Sequence, residues 1–269
     1  MRRSTRGWNP SEKALQNIAD QTLNVRDGEL EPDAKIQREP DPKNQKQAYE
    51  SKHYVQWIEA EAAELQAIQE RGVYKLVRRT EDMKVIGSRF SYKIKWSPQN
   101  PNQIDRWKVR FLVQGYGLKK GVDFDETFSP TALGASVKIF LYLAHTLQMS
   151  LSVVDISNFF LYGKNERPMY CEQPRGYEEK PREEWVWLLV GSLYGTPSAP
   201  RQASKELLKM MSATGFRPLV GDSRWFLKRF DTKNFAMCVV HVDDIALATT
   251  KAELRDTVLG EWKTFFRIK

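Results

Sequence analysis

The spacing of apolar and polar residues predicts one helix followed by a series of strands in the first half of the chain. Apolar residues recur at helical spacing from Tyr54 through Trp57 and Leu65 to Ile68, and Gly72 is well placed to end this helix. Three later segments are rich in strand-forming residues. They read VYKLVRR, KVIGSRFSYKIKW and RWKVRFLVQGY, and the turn-rich SPQNPNQID joins the last two.

The second half of the chain predicts an α+β fold. Helices are predicted for ASVKIFLYLAHTL, for residues near 200–213 and for KAELRDTVLGEWKTFF. Strands are predicted for LSVVDI, WVWLLV and SRWFLKRF, and a hairpin for FAMCVVHVDDIALATT. This order of strands and helices favours an antiparallel sheet with helices on one face.

Residues 1–48 differ in composition from the rest of the chain. They include RDGELEPDAKIQREPDPKNQKQ, which has almost no large apolar residues and several prolines. Such a segment buries too little apolar surface to offset the entropy lost on ordering. We therefore expect a disordered polar tail over residues 1–48 and a folded region over residues 49–269.

Composition narrows the class of protein. The chain has 269 residues, two Cys and three His, which excludes a disulfide framework and argues against a zinc site. The N-terminus lacks the apolar run of a signal peptide. The most apolar stretch, IFLYLAHTLQMSLSVV, is too short and too polar to span a bilayer. These features favour an intracellular protein that is not secreted.

Positive charge is concentrated in residues 71–120. This segment has thirteen Lys and Arg against three Asp and Glu, within a chain whose net charge is +8. Aromatic residues, including Trp96 and Trp107, are interleaved with the basic ones. A surface of this kind fits a nucleic-acid phosphate backbone. A solvated face of a basic domain is the alternative, and charge alone does not separate the two.

Acids interrupt apolar strands at two places. Asp243 and Asp244 lie side by side in the predicted hairpin, and Asp155 ends the predicted strand LSVVDI. If these strands are neighbours in one sheet, three carboxylates converge, and such a cluster suits two divalent cations with oxygen ligands. The alternative is an ordinary hairpin turn, where an Asp-Asp pair is common.

Five motifs resemble those of one known family, in the same order. RWKVRFLVQGYGLKKGVDFDETFSPTA is similar to the family's Lys-x-Arg-Leu-Val and Glu-Thr-Phe-x-Pro blocks, VVDISNFFLYG to its strand with the first catalytic Asp, and VVHVDDIALAT to its Tyr-Val-Asp-Asp hairpin. MYCEQPRGY and SLYGTPSAPRQ are similar to the two blocks between these. From about His53 to its end, the chain resembles the reverse transcriptase region of copia-type LTR retrotransposon polyproteins.

The resemblance implies a fold and an activity. The fold would be the fingers and palm of a right-hand polymerase, and the activity RNA-dependent DNA synthesis on an RNA or DNA template with a primer and deoxynucleoside triphosphates. Asp155, Asp243 and Asp244 would be the catalytic residues and would bind two Mg²⁺, for which Mn²⁺ could substitute. The expected location is the cytoplasm, in a virus-like particle, or the nucleus.

The resemblance also implies a nucleotide-binding set. Phe160 matches the aromatic residue that excludes a 2′-hydroxyl, and ordinary core packing is its alternative. Arg110 and Lys108 match residues that contact the triphosphate, with a solvated strand face as the alternative. Tyr194 and Gly195 match the floor of the nucleotide pocket, although Gly195 also fits an ordinary turn.

Two rival functions remain open at this point. One is a catalytically inactive retrotransposon remnant that only binds nucleic acid. The other is a different palm-fold nucleotidyl enzyme, such as a cyclase or a template-independent transferase, against which the basic segment 71–120 argues. Because the sequence ends soon after the last predicted helix, we also expect a fragment that lacks the thumb and ribonuclease H.

Overall fold

The computed structural model describes residues 38–269, which form two compact units. Unit A comprises residues 38–129 and 158–206, and unit B comprises residues 130–157 and 207–269. Each unit is therefore assembled from two separate stretches of chain. Among the described residues, no helix is both long and apolar enough to cross a membrane.

Five helices and eleven strands make up the two units in the described part of the chain. The helices are α1 (Gln45–Glu50), α2 (Tyr54–Glu70), α3 (Gly134–Thr146), α4 (Ala199–Ala213) and α5 (Ala252–Lys263). The strands are β1 (Tyr74–Arg78), β2 (Val85–Ile86), β3 (Ser88–Trp96), β4 (Ile104–Val113), β5 (Ser150–Asp155), β6 (Lys164–Cys171), β7 (Trp185–Gly191), β8 (Arg217–Leu219), β9 (Asp222–Arg229), β10 (Phe235–His241) and β11 (Asp244–Thr249).

Unit A contains two sheets. One has four strands in the order β1-β7-β6-β2, where only the short pair β2 and β6 is parallel. The other is the antiparallel hairpin of β3 and β4, as the turn-rich segment between them predicts. Helix α2 packs against β4, and Trp57 of this helix joins Phe111 of β4 in a shared apolar core.

Helix α2 confirms the predicted helix and adds an unexpected feature. Its buried residues are Trp57, Glu61, Glu64 and Ile68, which form one stripe along the helix. The helix ends where the sequence predicts, and Gly72 follows with a φ of 58°. Two of the four buried positions on its inner face are thus glutamates.

Unit B is built on a five-stranded antiparallel sheet in the order β5-β11-β10-β9-β8. Helix α3 packs against one face of this sheet, with Phe140 beside Met237 and Ala246. The alternate residues of the central strands, such as Cys238 and Leu247, are also fully buried. Both faces of these strands are covered, whereas the sequence predicts helices on one face.

The predicted tail and the predicted strands need two corrections. Residues 1–37 lie outside the described part of the chain, but the tail prediction is wrong for residues 38–48. There Asn44 caps helix α1, Ala48 is fully buried, and Asp41 accepts a hydrogen bond from the Ile94 N–H at 2.7 Å. Strand β6 was also not predicted, because its sequence KNERPMYC is polar and contains a proline.

Candidate functional site

The acidic hairpin of unit B has a two-residue turn. His241 of β10 pairs with Asp244 of β11, which leaves Val242 and Asp243 at the tip. Val242 has a φ of 58°, a conformation that is unfavourable for a β-branched residue. Glycine is the usual residue at the first position of a turn with this geometry. The tip therefore carries backbone strain next to the paired acids.

Strand pairing brings Asp155 to this hairpin. Strand β5 lies beside β11, and in their register Asp155 is directly opposite Asp244. The backbone of the next residue, Ile156, donates to the Asp243 carbonyl oxygen at 3.1 Å. The other side of Asp155 is held by Lys269, with which it exchanges two backbone hydrogen bonds of 2.9 and 3.1 Å. The three acids predicted to form one group are thus neighbours at one end of the sheet.

The three carboxylates influence one another electrostatically. Burial, together with the negative charges of Asp243 and Asp155, raises the pKa of Asp244 to about 6. Within residues 38–269, no three acidic, His or Cys side chains are arranged closely enough to enclose a metal ion as they stand. The donor set nevertheless fits a hard divalent cation, because a cation would relieve the repulsion among three carboxylates.

A second group of predicted residues lies in unit A, along the free edge of β4. The Arg110 guanidinium lies over the ring of Tyr194, with 4.6 Å between its Cζ and the ring centroid. One of its nitrogens, Nη1, lies 3.3 Å from the Oε2 atom of Glu64. Lys108 is two residues earlier and on the same face of the strand, where its charge also acts on the Glu64 carboxyl.

Gly195 and Phe160 join the same group. The backbone of the segment around Gly195 lies against the end of β4, where Val113 donates a 2.8 Å hydrogen bond to the Tyr194 carbonyl oxygen. Gly195 has a φ of 90°, and a Cβ there would overlap the Val113 carbonyl oxygen. The Phe160 ring meets the Tyr194 ring edge to face at 5.7 Å. Phe160 is only partly buried, unlike the core residue Phe159.

Comparison with known proteins identifies the family. The sequence profile described as reverse transcriptase (RNA-dependent DNA polymerase) matches residues 71–269. The chain belongs to this reverse transcriptase family. The resemblance to the copia type is also confirmed, since related proteins are retrovirus-related Pol polyproteins of transposons.

Three related proteins show how much of each relative the chain spans. It is 30% identical over 234 residues to the Pol polyprotein of transposon TNT 1-94 from Nicotiana tabacum, which covers 87% of the chain and 18% of the relative. It is 30% identical to that of transposon RE1 from Arabidopsis thaliana, with coverages of 69% and 12%. A Ty5-1 protein of Saccharomyces cerevisiae is 25% identical, with coverages of 43% and 37%. The chain thus spans less than a fifth of the first two relatives.

One residue of the group in unit A was not predicted from the sequence. Glu64 holds Arg110, whereas the periodicity of helix α2 predicts only an apolar stripe. The signal was present in the spacing, because Glu61 and Glu64 lie four and seven residues after Trp57 and therefore on its face. Acids on the buried face of a helix indicate a polar partner in the core.

Proposed function

We propose that this reverse transcriptase domain adds deoxynucleotides to a primer 3′-hydroxyl as directed by a template, with two divalent cations. The observation that carries the proposal is the register of β5 and β11, which places Asp155 opposite Asp244 and beside Asp243. Carboxylates at neighbouring strand ends suit the two-cation chemistry of nucleotidyl transfer.

The three aspartates have distinct parts in this proposal. Asp155 and Asp243 would hold the two Mg²⁺, and Asp244 completes the acidic group. When bound, the cations activate the primer hydroxyl and neutralise charge on the triphosphate. The chain's own contribution is to hold the carboxylates at adjacent backbone positions, since β5 is fixed between β11 and the segment that contains Lys269.

The residues grouped in unit A support binding of the incoming nucleotide. Arg110 and Lys108 would contact the triphosphate, for which a guanidinium is well suited by its planar set of donors. Phe160 would limit the space next to the sugar at C2′, and Tyr194 and Gly195 would form the pocket floor. The contacts of Arg110 and Phe160 with the Tyr194 ring favour a common role for these side chains.

A basic cavity in unit A supports a nucleic-acid partner. It has a volume of about 730 Å³ and is bordered by five cationic side chains and one acid, Glu172. The cationic residues are Lys43, Lys46, Arg89, Arg175 and Arg182. Glu172 pairs with Arg182, and also with Arg79, at 3.1 Å, but a single carboxylate offsets only one of the five positive charges, so the lining is positive on balance. Phosphate groups are the ligands that such a surface attracts.

Primer extension on a poly-rA template tests the proposed activity. We expect the purified chain to add deoxynucleotides with Mg²⁺ and to add none when the cation is chelated. The alternative, an inactive remnant, shares the basic cavity and would bind primer-template without extending it. Binding without extension, under conditions that keep the chain folded, would therefore favour that alternative.

Binding of primer-template should weaken steeply as salt rises. If about five phosphates are neutralised, log K against log[salt] should have a slope of about −4 to −5, taking roughly −0.9 per contact. A fourfold rise in salt would then reduce affinity by a few hundredfold. Fluorescence anisotropy of a labelled duplex over that range measures the slope.

A pair of charge variants tests where the phosphates bind. Arg89 borders the basic cavity, and no carboxylate among residues 38–269 pairs with it, so Arg89→Gln should make the slope shallower by about one. Lys233 is exposed in unit B outside the basic segment, and Lys233→Gln should leave the slope unchanged. Salt-independent binding, or equal effects of the two variants, would contradict this assignment.

The size of the Phe160 side chain should control sugar selectivity. A ring against C2′ excludes a ribose by steric overlap, so Phe160→Val is expected to admit ribonucleotides while sparing deoxynucleotide use. The ratio of rNTP to dNTP incorporation should rise, with little change in melting temperature because Phe160 is only partly buried.

Phe159→Val is the matched control for this effect. Phe159 is 3% exposed, so shortening it should lower the melting temperature by leaving a cavity, without changing sugar selectivity. If Phe160→Val behaves in the same way as this control, Phe160 is a core residue and the selectivity role is wrong.

A further inference from the structure

The free edge of β4 holds two elements of unit A by backbone donors. Among the described residues β3 is the single strand that pairs with β4, so the N–H groups along the other edge of β4 can bind groups outside the sheet. Phe111 donates to the Oε1 atom of Glu64 at 3.3 Å, and Val113, two residues later, donates to the Tyr194 carbonyl oxygen at 2.8 Å. Helix α2 and the segment around Tyr194 are therefore attached to the same strand edge.

Arg110 connects these two attachments through its side chain. Its Nη1 lies 3.3 Å from the second carboxylate oxygen of Glu64, Oε2, and its Cζ lies over the Tyr194 ring, 4.6 Å from the ring centroid. Each oxygen of Glu64 thus has a different donor, one from the strand backbone and one from Arg110. A guanidinium has five N–H donors, so this contact leaves most of them for another anion.

Glu64 is placed where an acid is costly. Its side chain is 4% exposed, against 27% for Arg110. Burial raises the pKa of the Glu64 carboxyl, while Arg110, the Phe111 N–H and Lys108 act in the opposite direction. Tyr194 also contacts Phe160, so the arrangement that Glu64 maintains extends to the residue proposed to select the sugar.

We propose that Glu64 is a positioning residue for the incoming nucleotide, because it holds the Arg110 guanidinium over Tyr194 with its remaining donors available to a triphosphate. The inference rests on the proposed function, since it assigns Arg110 a triphosphate ligand. Glu64 itself touches no nucleotide in this scheme. Its effect passes entirely through the orientation of Arg110, in which a small displacement has a large consequence for a bound ligand.

Glu64→Gln tests the proposal with almost no change in shape. The carboxylate accepts a hydrogen bond from the Phe111 N–H with one oxygen and from Arg110 with the other. An amide has a single acceptor oxygen, so its N–H₂ group would face one of these two donors. The Kd for dTTP, measured with Mg²⁺ on a dideoxy-terminated primer annealed to a poly-rA template, should rise between about tenfold and a hundredfold. The affinity for the primer-template itself should stay unchanged.

Glu61→Gln is the matched control on the same helix. Glu61 is also fully buried, but its carboxylate accepts hydrogen bonds from the hydroxyls of Tyr49, Tyr92 and Tyr177. Its replacement should lower the melting temperature and leave the dTTP affinity unchanged. A role of Glu64 that is merely structural would make the two variants behave alike.

A double variant separates positioning from a direct effect. If Glu64 acts only through Arg110, adding Glu64→Gln to Arg110→Ala should change the dTTP affinity by less than about twofold. Additive losses in the double variant, or an unchanged Kd in Glu64→Gln alone, would overturn the proposal.

Measurements of dTTP binding and of primer extension distinguish failure of the Glu64 proposal from failure of the proposed polymerase activity. Because the primer is dideoxy-terminated, dTTP binding is measured without chemistry. A wild-type chain that binds dTTP but extends no ordinary primer contradicts the proposed activity and leaves the Glu64 assignment to be decided by the variants. A folded wild-type chain that binds no dTTP contradicts both.

Discussion

Replacing Asp155 or Asp243 with asparagine is expected to reduce primer extension by a hundredfold or more. An amide is a weaker ligand for a hard cation than a carboxylate, and loss of one ligand removes several kcal/mol of transition-state stabilisation, where each ~1.4 kcal/mol is a factor of ten. Single-nucleotide incorporation at saturating Mg²⁺ measures the loss.

The melting temperature of the same variants shows whether activity falls because a metal ligand is missing or because the chain is unfolded. Mutual repulsion contributes to the raised pKa of Asp244, so removing one neighbouring charge should leave the melting temperature at neutral pH unchanged or higher in metal-free buffer. Asp256→Asn removes an exposed carboxylate from helix α5 of the same unit and should retain full activity. Undiminished incorporation by Asp155→Asn would contradict the proposed metal site.

Gly195→Ala is expected to destabilise the fold more than any other small change at the predicted site. A methyl group there meets the Val113 carbonyl oxygen, and the residue must also keep a φ of 90°. Overlap with rigid backbone and a disfavoured conformation each cost about 1–3 kcal/mol, so the free energy of unfolding should fall by about 2–6 kcal/mol. Urea or thermal unfolding measures the change.

Gly117→Ala provides the comparison. Like Gly195, Gly117 is exposed, but an added Cβ would meet nothing within 4 Å and no positive φ is required. Its replacement should leave stability within about 0.5 kcal/mol of the original. If both variants are equally stable, the close approach of the Gly195 segment to β4 is wrong, and an ordinary turn suffices for Gly195.

The sequence predicted those features that depend on local periodicity. Helix α2 was predicted from the spacing of Trp57, Leu65 and Ile68, and the hairpin of β3 and β4 from the turn residues between them. The sequence predicted that Asp155 meets the acidic hairpin only on the condition that their strands are neighbours, and the pairing of β5 with β11 meets that condition.

Features that depend on distant partners could not be predicted in this way. Residues 38–48 look unstructured because their partners, such as Ile94, lie some fifty residues away. Strand β6 is polar on one side, so its sequence pattern does not predict a strand. It is a strand because it pairs with β7. The pairing of Glu64 with Arg110 could not be predicted for the same reason, because only the folded structure brings these two residues together.

The interleaved construction of the two units has a consequence for synthesis of the chain. Strand β1 pairs with β7, so about 115 residues must be translated after Tyr74 before its partner Leu189 is made. About 90 residues likewise separate Asp155 from its partner Asp244. At about 5–20 residues per second, a ribosome needs several seconds or longer for each interval. During that time apolar strand edges are exposed on the nascent chain, where chaperones, or aggregation with a neighbouring chain, compete with correct pairing.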